Sequence, residues 1–158
     1  DAEMVFDAFS AGKSVSFPRI SPDGRYLVFT LHNYGNFSIW HKEADLYLTD
    51  LETGKTDRMN INSDYAESYH SWSSNSKWMV FSSKRDDGLT ARPYFVYFNT
   101  DGSTGKPFVL PQKDPGLYTR MIKTFNRPEF VKGKIRTGPR DFERASGKEP
   151  EKTGWAGV

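Results

Sequence analysis

At 158 residues the chain has room for one ordinary domain, and its formal net charge of +2, with Lys and Arg scattered among Asp and Glu, offers no basic stripe for nucleic acid. The absence of cysteine excludes a disulfide scaffold, a Cys-ligated zinc site and a thiol nucleophile, while leaving the compartment open. Aromatic residues make up 15% of the chain, so its core material favours strands over helices.

No run approaches the roughly 18 to 20 apolar residues that span a bilayer, and no membrane span is expected. The opening "DAEMVFDAFSAGKS" lacks the basic start and apolar middle of a signal peptide and reads as ordinary fold. Residues 1–14 are expected as an outer or closing strand of a neighbouring unit, carried by "EMVFDAFS". The "SAGKS" at 10–14 looks like the end of a phosphate-binding loop. The full pattern needs Gly at position 7, where this chain has Asp7, and strand-like "VSFP" comes next in place of a helix. It is rejected.

The next signal is a repeat. "SPDGRYLVFT" at 21–30 is echoed by "SSNSKWMVFS" at 73–82, and the nine pairs from Ser21 with Ser73 to Phe29 with Phe81 keep chemical type or turn propensity. "SPDG" is a strong turn because Pro presets φ at its second position while Asp and Gly accept the bend after it; "SSNS" makes the same turn more weakly. "RYLVFT" and "KWMVFS" then read as inner strands packed on both faces. "DLYLTDLETGK" at 45–55 and "YFVYFNTDGSTGK" at 94–106 are each a strand followed by a hairpin turn. "TDRMNI" and "KPFVLP" close the copies, and "VSFPRIS" and "SYHSWSS" open them. The expected fold class is all-β: a partial β-propeller of two four-stranded antiparallel blades, at 15–62 and 63–113, plus flanking strands and a short C-terminal helix. A sandwich of two related halves is the competing fold.

After Pro111 the pattern changes. In "DPGLYTRMIKTF", Leu117, Met121, Ile122 and Phe125 share one helical face, with Asp114 as N-cap and Pro115 just inside. Residues 114–131 are read as this helix and a last short strand, "RPEFV". From Lys132 to Val158 the chain is rich in Gly, Pro and charge and reads as a flexible tail or linker.

The paired strings "SPDGRYLVFT…ADLYLTDLETGK" and "SWSSNSKWMVFSSKRDDG…YFVYFNTDG" resemble the repeats of TolB-like, WD40-like (PD40) β-propeller proteins, over residues 15 to 111. The resemblance implies about six blades, so this chain would be a C-terminal portion of a longer protein. It also implies a bacterial envelope location, in the periplasm. Two departures stand out: "SSNS" in place of "SPDG", and a long insertion, "LHNYGNFSIWHKEA" at 31–44, between the second and third strands of the first copy.

Insertions at that point sit at one rim of a propeller, where partners dock. Tyr34, Phe37 and Trp40, with His41 beside them, are the binding candidates, since aromatics on a rim loop bury large area at small entropic cost. The competing reading folds them back as a local core. Histidines 32, 41 and 70 raise a metal hypothesis that resembles propeller lyases of acidic sugars. No second ligand type recurs at metal spacing, so no metal or cofactor is assigned. His70 is the single candidate, read as a hydrogen-bonding residue at a blade edge, with His32 and His41 as loop residues. "NTDGSTG" and "KRDDG" lack the spaced oxygen ligands of a calcium loop and read as hairpins. No G-x-S-x-G elbow occurs. The expected function is non-catalytic binding or scaffolding with a protein or peptide partner, or with further blades from its own propeller or another subunit. The competing class is the propeller part of a metal-dependent lyase or a prolyl-oligopeptidase-type peptidase.

Overall fold

The structure is a computed structural model that describes residues 3–149. It contains two four-stranded antiparallel sheets. The first holds β1 (Lys13–Ile20), β2 (Tyr26–Asn33), β3 (Asp45–Asp50) and β4 (Thr56–Arg58). The second holds β5 (Glu67–Trp72), β6 (Trp78–Ser83), β7 (Arg92–Tyr97) and β8 (Phe108–Val109). In each, strands pair in chain order, so every ladder joins neighbours in the chain, with one long connection, 34–44, between β2 and β3.

The echoed turns are the same structure built from different residues. Ser21 Oγ donates to Asp23 and accepts from the Tyr26 amide at 3.0 Å, while the Gly24 amide returns to Ser21 O at 2.8 Å. In the second copy Ser73 Oγ donates to Asn75 and accepts from the Trp78 amide at 3.0 Å, and the Ser76 amide returns to Ser73 O. Gly24 sits at φ 80° and Ser76 at φ 57°. The left-handed backbone costs a non-glycine residue about 1 kcal/mol, which makes the second turn the weaker of the two.

The way the sheets stack decides between propeller and sandwich. The first sheet turns Tyr26, Val28 and Leu46 toward the second, which meets them with Met79, Phe81, Tyr94 and Val96. The repeat partners of Tyr26 and Val28 are Trp78 and Val80, which lie on the far side of the second sheet because side chains alternate along a strand. Equivalent faces therefore point the same way around the stack, as successive propeller blades do. A sandwich of related halves would bring equivalent faces together. Between the sheets, Phe98 meets Tyr26 and Trp72 edge-on at 5.2 and 4.8 Å. Each fully buried core side chain here contributes about 1.5–3 kcal/mol.

Several expectations outside the repeat are corrected. Residues 3–12 form turns and not a strand, and Phe6 covers Phe29, ring centroids 5.0 Å apart. β2 runs on through Asn33, so the insertion begins after the strand and His32 is a buried strand residue, not a loop residue. The expected 12-residue helix shrinks to the single turn α1 (Leu117–Arg120). Its chain is drawn straight by Arg92, whose guanidinium donates to the carbonyls of Tyr118, Met121 and Lys123 at 2.5–2.9 Å. The Phe125 amide then donates to Ala91 O at 2.9 Å. Residues 127–131 form no strand ladder. Within the expected tail, 139–146 form a helix, α2 (Pro139–Ser146), that buries no residue. Residues 150–158 of that tail, like 1 and 2 of the opening segment, lie outside the described residues. No helix among the described residues is long and apolar enough to cross a membrane.

Candidate functional site

The long β2–β3 connection is held from below and presents its aromatics outward. A short 3-10 turn (Ser38–Trp40) buries Ser38 and Ile39. Ser38 Oγ lies 2.6 Å from Ser68 Oγ, and Ile39 joins a small core with Ala44, Ala66, Tyr69 and Ala91. His41 Nε2 donates to Asn36 O at 3.1 Å and its ring packs on Gly35, where a Cβ would come within 3.3 Å. Tyr34, Phe37 and Trp40 are 90%, 71% and 77% exposed, so the alternative in which they fold back as local core does not hold. Lys84 Nζ, on the second sheet's neighbouring loop, lies 4.6 Å from the centre of the Trp40 ring and steadies it.

The three histidines are separated by function. His32 accepts from Ser16 Oγ through Nε2 at 2.8 Å and donates from Nδ1 to Asn33 O at 2.8 Å. Its ring lies 4.8 Å from that of His41. His70, 1% exposed, donates from Nε2 to Val28 O at 2.9 Å and so ties β5 of one blade to β2 of the other. Among the described residues no three His, Asp or Glu side chains converge as metal ligands would. The acidic loops behave as hairpins: Asp87 accepts from the Leu89 and Thr90 amides, and Asp101 from the Ser103 amide and hydroxyl.

Burial pushes the His70 imidazole down to about 4, with the Arg19 charge adding to the effect. The unfolded chain, titrating near 6.5, therefore takes up a proton that the folded chain refuses. Stability from this group is complete above about pH 6.5 and falls by about 3 kcal/mol as pH drops toward 4. Burial lowers His32 in the same direction. Urea unfolding at pH 7 and pH 4.5 is expected to show that loss, with a shallower pH slope for His70→Gln. Equal slopes would mean that His70 is solvated.

A second feature, missed in the sequence, lies along the inner strands. β1 and β5 each carry a bulge, between Ser16 and Arg19 and between Ser68 and Ser71. Phe17 and Tyr69 sit there at φ 55° and 51°. Arg127 takes the same left-handed conformation, φ 55°, in "NRPEF". Aligned with "SFPRI" and "SYHSW", that string repeats the inner-strand pattern a third time without a strand ladder of its own. Ser82 Oγ donates to Phe125 O at 2.9 Å and Phe130 meets Phe95 at 5.8 Å, so it lies against the second blade much as β5 lies against the first. The signal was the aligned triplet Phe17, Tyr69 and Arg127, which a two-copy repeat hid. A separate cleft of about 520 Å³, at the opposite end of β2, lies between the hairpins near Asp50 and Asp101 and holds none of the predicted residues.

Two successive four-stranded meanders with like faces in like orientation define the class: this is an all-β, partial β-propeller. No family model matches the chain, and no curated protein matches it. Among solved structures it is similar to the beta-propeller domain of the Trilobed protease from Pyrococcus furiosus, at 23% identity and a TM-score of 0.39. That similarity covers 63% of this chain and 30% of the other, so the chain spans less than a third of that structure's length.

Proposed function

We propose that the chain is a non-catalytic binding and scaffolding module of the bacterial envelope, acting in the periplasm, in which two blades combine with further blades and the 34–41 loop receives a protein partner. The observation that carries this reading is the loop itself. Its base is fixed by Ser38, Ile39 and His41, while three large aromatic side chains stand mostly in solvent, with Lys84 against the Trp40 ring. Aromatics in that state are the usual anchors of a protein interface, because they are rigid and bury large area on contact. The envelope setting is supported by the resemblance of the repeat strings to TolB-like proteins.

Replacing Tyr34, Phe37 and Trp40 together by Ala is expected to leave the thermal midpoint within a few degrees of wild type, since none of the three is buried. The same variant loses the partner. Cross-linking in envelope extract, followed by mass spectrometry with wild type and variant side by side, checks this. A protein recovered with wild type and absent with the variant supports the reading; equal recovery, or none with either, defeats it.

A further inference from the structure

A groove runs along the inner strands and meets the rim loop at Phe37. Two adjoining cavities, about 220 and 530 Å³, share Phe17, Tyr69 and Arg127 as their common wall. The smaller one reaches His70; the wider one opens past Asn36 and Phe37 toward the rim.

Three observations define the ligand that fits. The Arg127 guanidinium lies 5.9 Å from the Phe17 ring centre and 5.6 Å from that of Tyr69, with no hydrogen bond or ion pair to its side chain among the described residues. The one carboxylate in the smaller cavity, Glu129, is already engaged by Arg19 at 2.6 Å and by Ser71 Oγ at 2.7 Å. Two guanidinium groups against one carboxylate leave a net positive charge, and a planar guanidinium resting against a pair of rings is pre-set for two parallel bonds to a carboxylate. Finally, His70 is 1% exposed and lines this cavity, and its Nδ1 is buried without a hydrogen-bond partner. Because Nε2 donates to Val28 O, Nδ1 carries the lone pair and calls for a donor.

A ligand that answers both groups has a carboxylate with an N–H close to it, and a tail able to leave through the wider cavity. We propose that this groove binds the C-terminal end of an extended peptide, its terminal carboxylate on Arg127 and a terminal amide N–H on His70 Nδ1. Phe17 and Tyr69, fixed in the left-handed conformation by their bulges, pack on each other with ring centroids 4.8 Å apart and form one aromatic wall against which the last residue lies.

The test uses the whole chain with three sets of probes: N-acetylated tripeptides of varied last residue with a free C-terminus, the same peptides as C-terminal amides, and acetate alone. Calorimetry reads affinity, and nitrogen-15 NMR of the His70 ring reads the hydrogen bond at Nδ1. The expected result is binding by at least one free-acid peptide, about tenfold weaker binding of its amide, and a shift of the His70 Nδ1 resonance on addition of the acid. Arg127→Gln, at an exposed side chain, is expected to weaken the acid to the level of the amide while the unfolding midpoint stays put. The proposal is overturned if acids and amides bind alike, if no probe binds, or if the His70 ring does not respond. It is also overturned if acetate matches the peptides, which would mark a simple carboxylate site. The double variant Tyr34→Ala with Trp40→Ala, which leaves Phe37 in the wider cavity untouched, retains this binding, so its outcome is independent of the partner reading.

Discussion

Glu67→Ala is expected to lower the unfolding free energy by about 3–5 kcal/mol, the cost of removing one partner from a buried ion pair. Glu67 is fully buried at the start of β5 and accepts from the Ser63 amide at 3.0 Å, from the hydroxyls of Ser63 and Ser83 at 2.7 Å each, and from Arg85 at 3.2 Å. Arg85 also donates to Ile61 O and Ser83 Oγ at 2.8 Å, and its guanidinium lies 4.5 Å from the Tyr94 ring centre. Without the carboxylate, three donors and a largely enclosed cation lose their common acceptor. Against a total stability of about 5–15 kcal/mol, that is a large fraction. Urea unfolding followed by tryptophan fluorescence measures it. A loss below about 1 kcal/mol would give the pair the value of a surface salt bridge and remove its structural role. The double variant Glu67→Leu with Arg85→Met is expected to lose less than Glu67→Ala alone, because no charge is left stranded.

The second large effect is expected at Arg92, 2% exposed on β7. Its guanidinium is the peg that holds residues 118–125 across the end of the second sheet, through three carbonyls. Arg92→Met keeps the stem and removes the donors. The predicted loss is about 2–3 kcal/mol, the range for hydrogen bonds from a charged group. Its location is diagnostic: hydrogen exchange and proteolysis should increase within 114–131, while β2 and β6 remain protected. Uniform exposure of both sheets would show that Arg92 supports the core and not the strap.

The repeat was legible because its signals are local. A serine whose hydroxyl caps its own turn, with alternating apolar residues after it, reads the same in both copies, and all eight strands can be placed from it. The features that escaped reading depended on partners distant in the chain. The helix expected after Asp114 has a sound apolar face in the sequence, but Arg92 and Ala91 bond the backbone beyond Arg120 in a non-helical form. His32 reads as a loop residue because the end of β2 carries no turn signal; only pairing with β1 extends the strand to Asn33. At the candidate sites the rim loop was found by comparing copies, since an insertion is visible as a difference. The inner-strand groove was not, because its third wall, Arg127, belongs to a copy cut down to one strand. His70 was noticed for its residue type, while its unpaired Nδ1 is a property of burial that no pattern displays.

The order of the strands has a bearing on how the chain reaches its fold. Each ladder joins neighbours in the chain, so the entropy lost in closing each loop is small, and a sheet can form from its own residues alone. The bonds that join the sheets, such as His70 to Val28 and Trp72 to Arg19, span separations of 42 and 53 residues. Pairing within each sheet is thus local in sequence, and only the stacking of one sheet on the other depends on residues far apart in the chain.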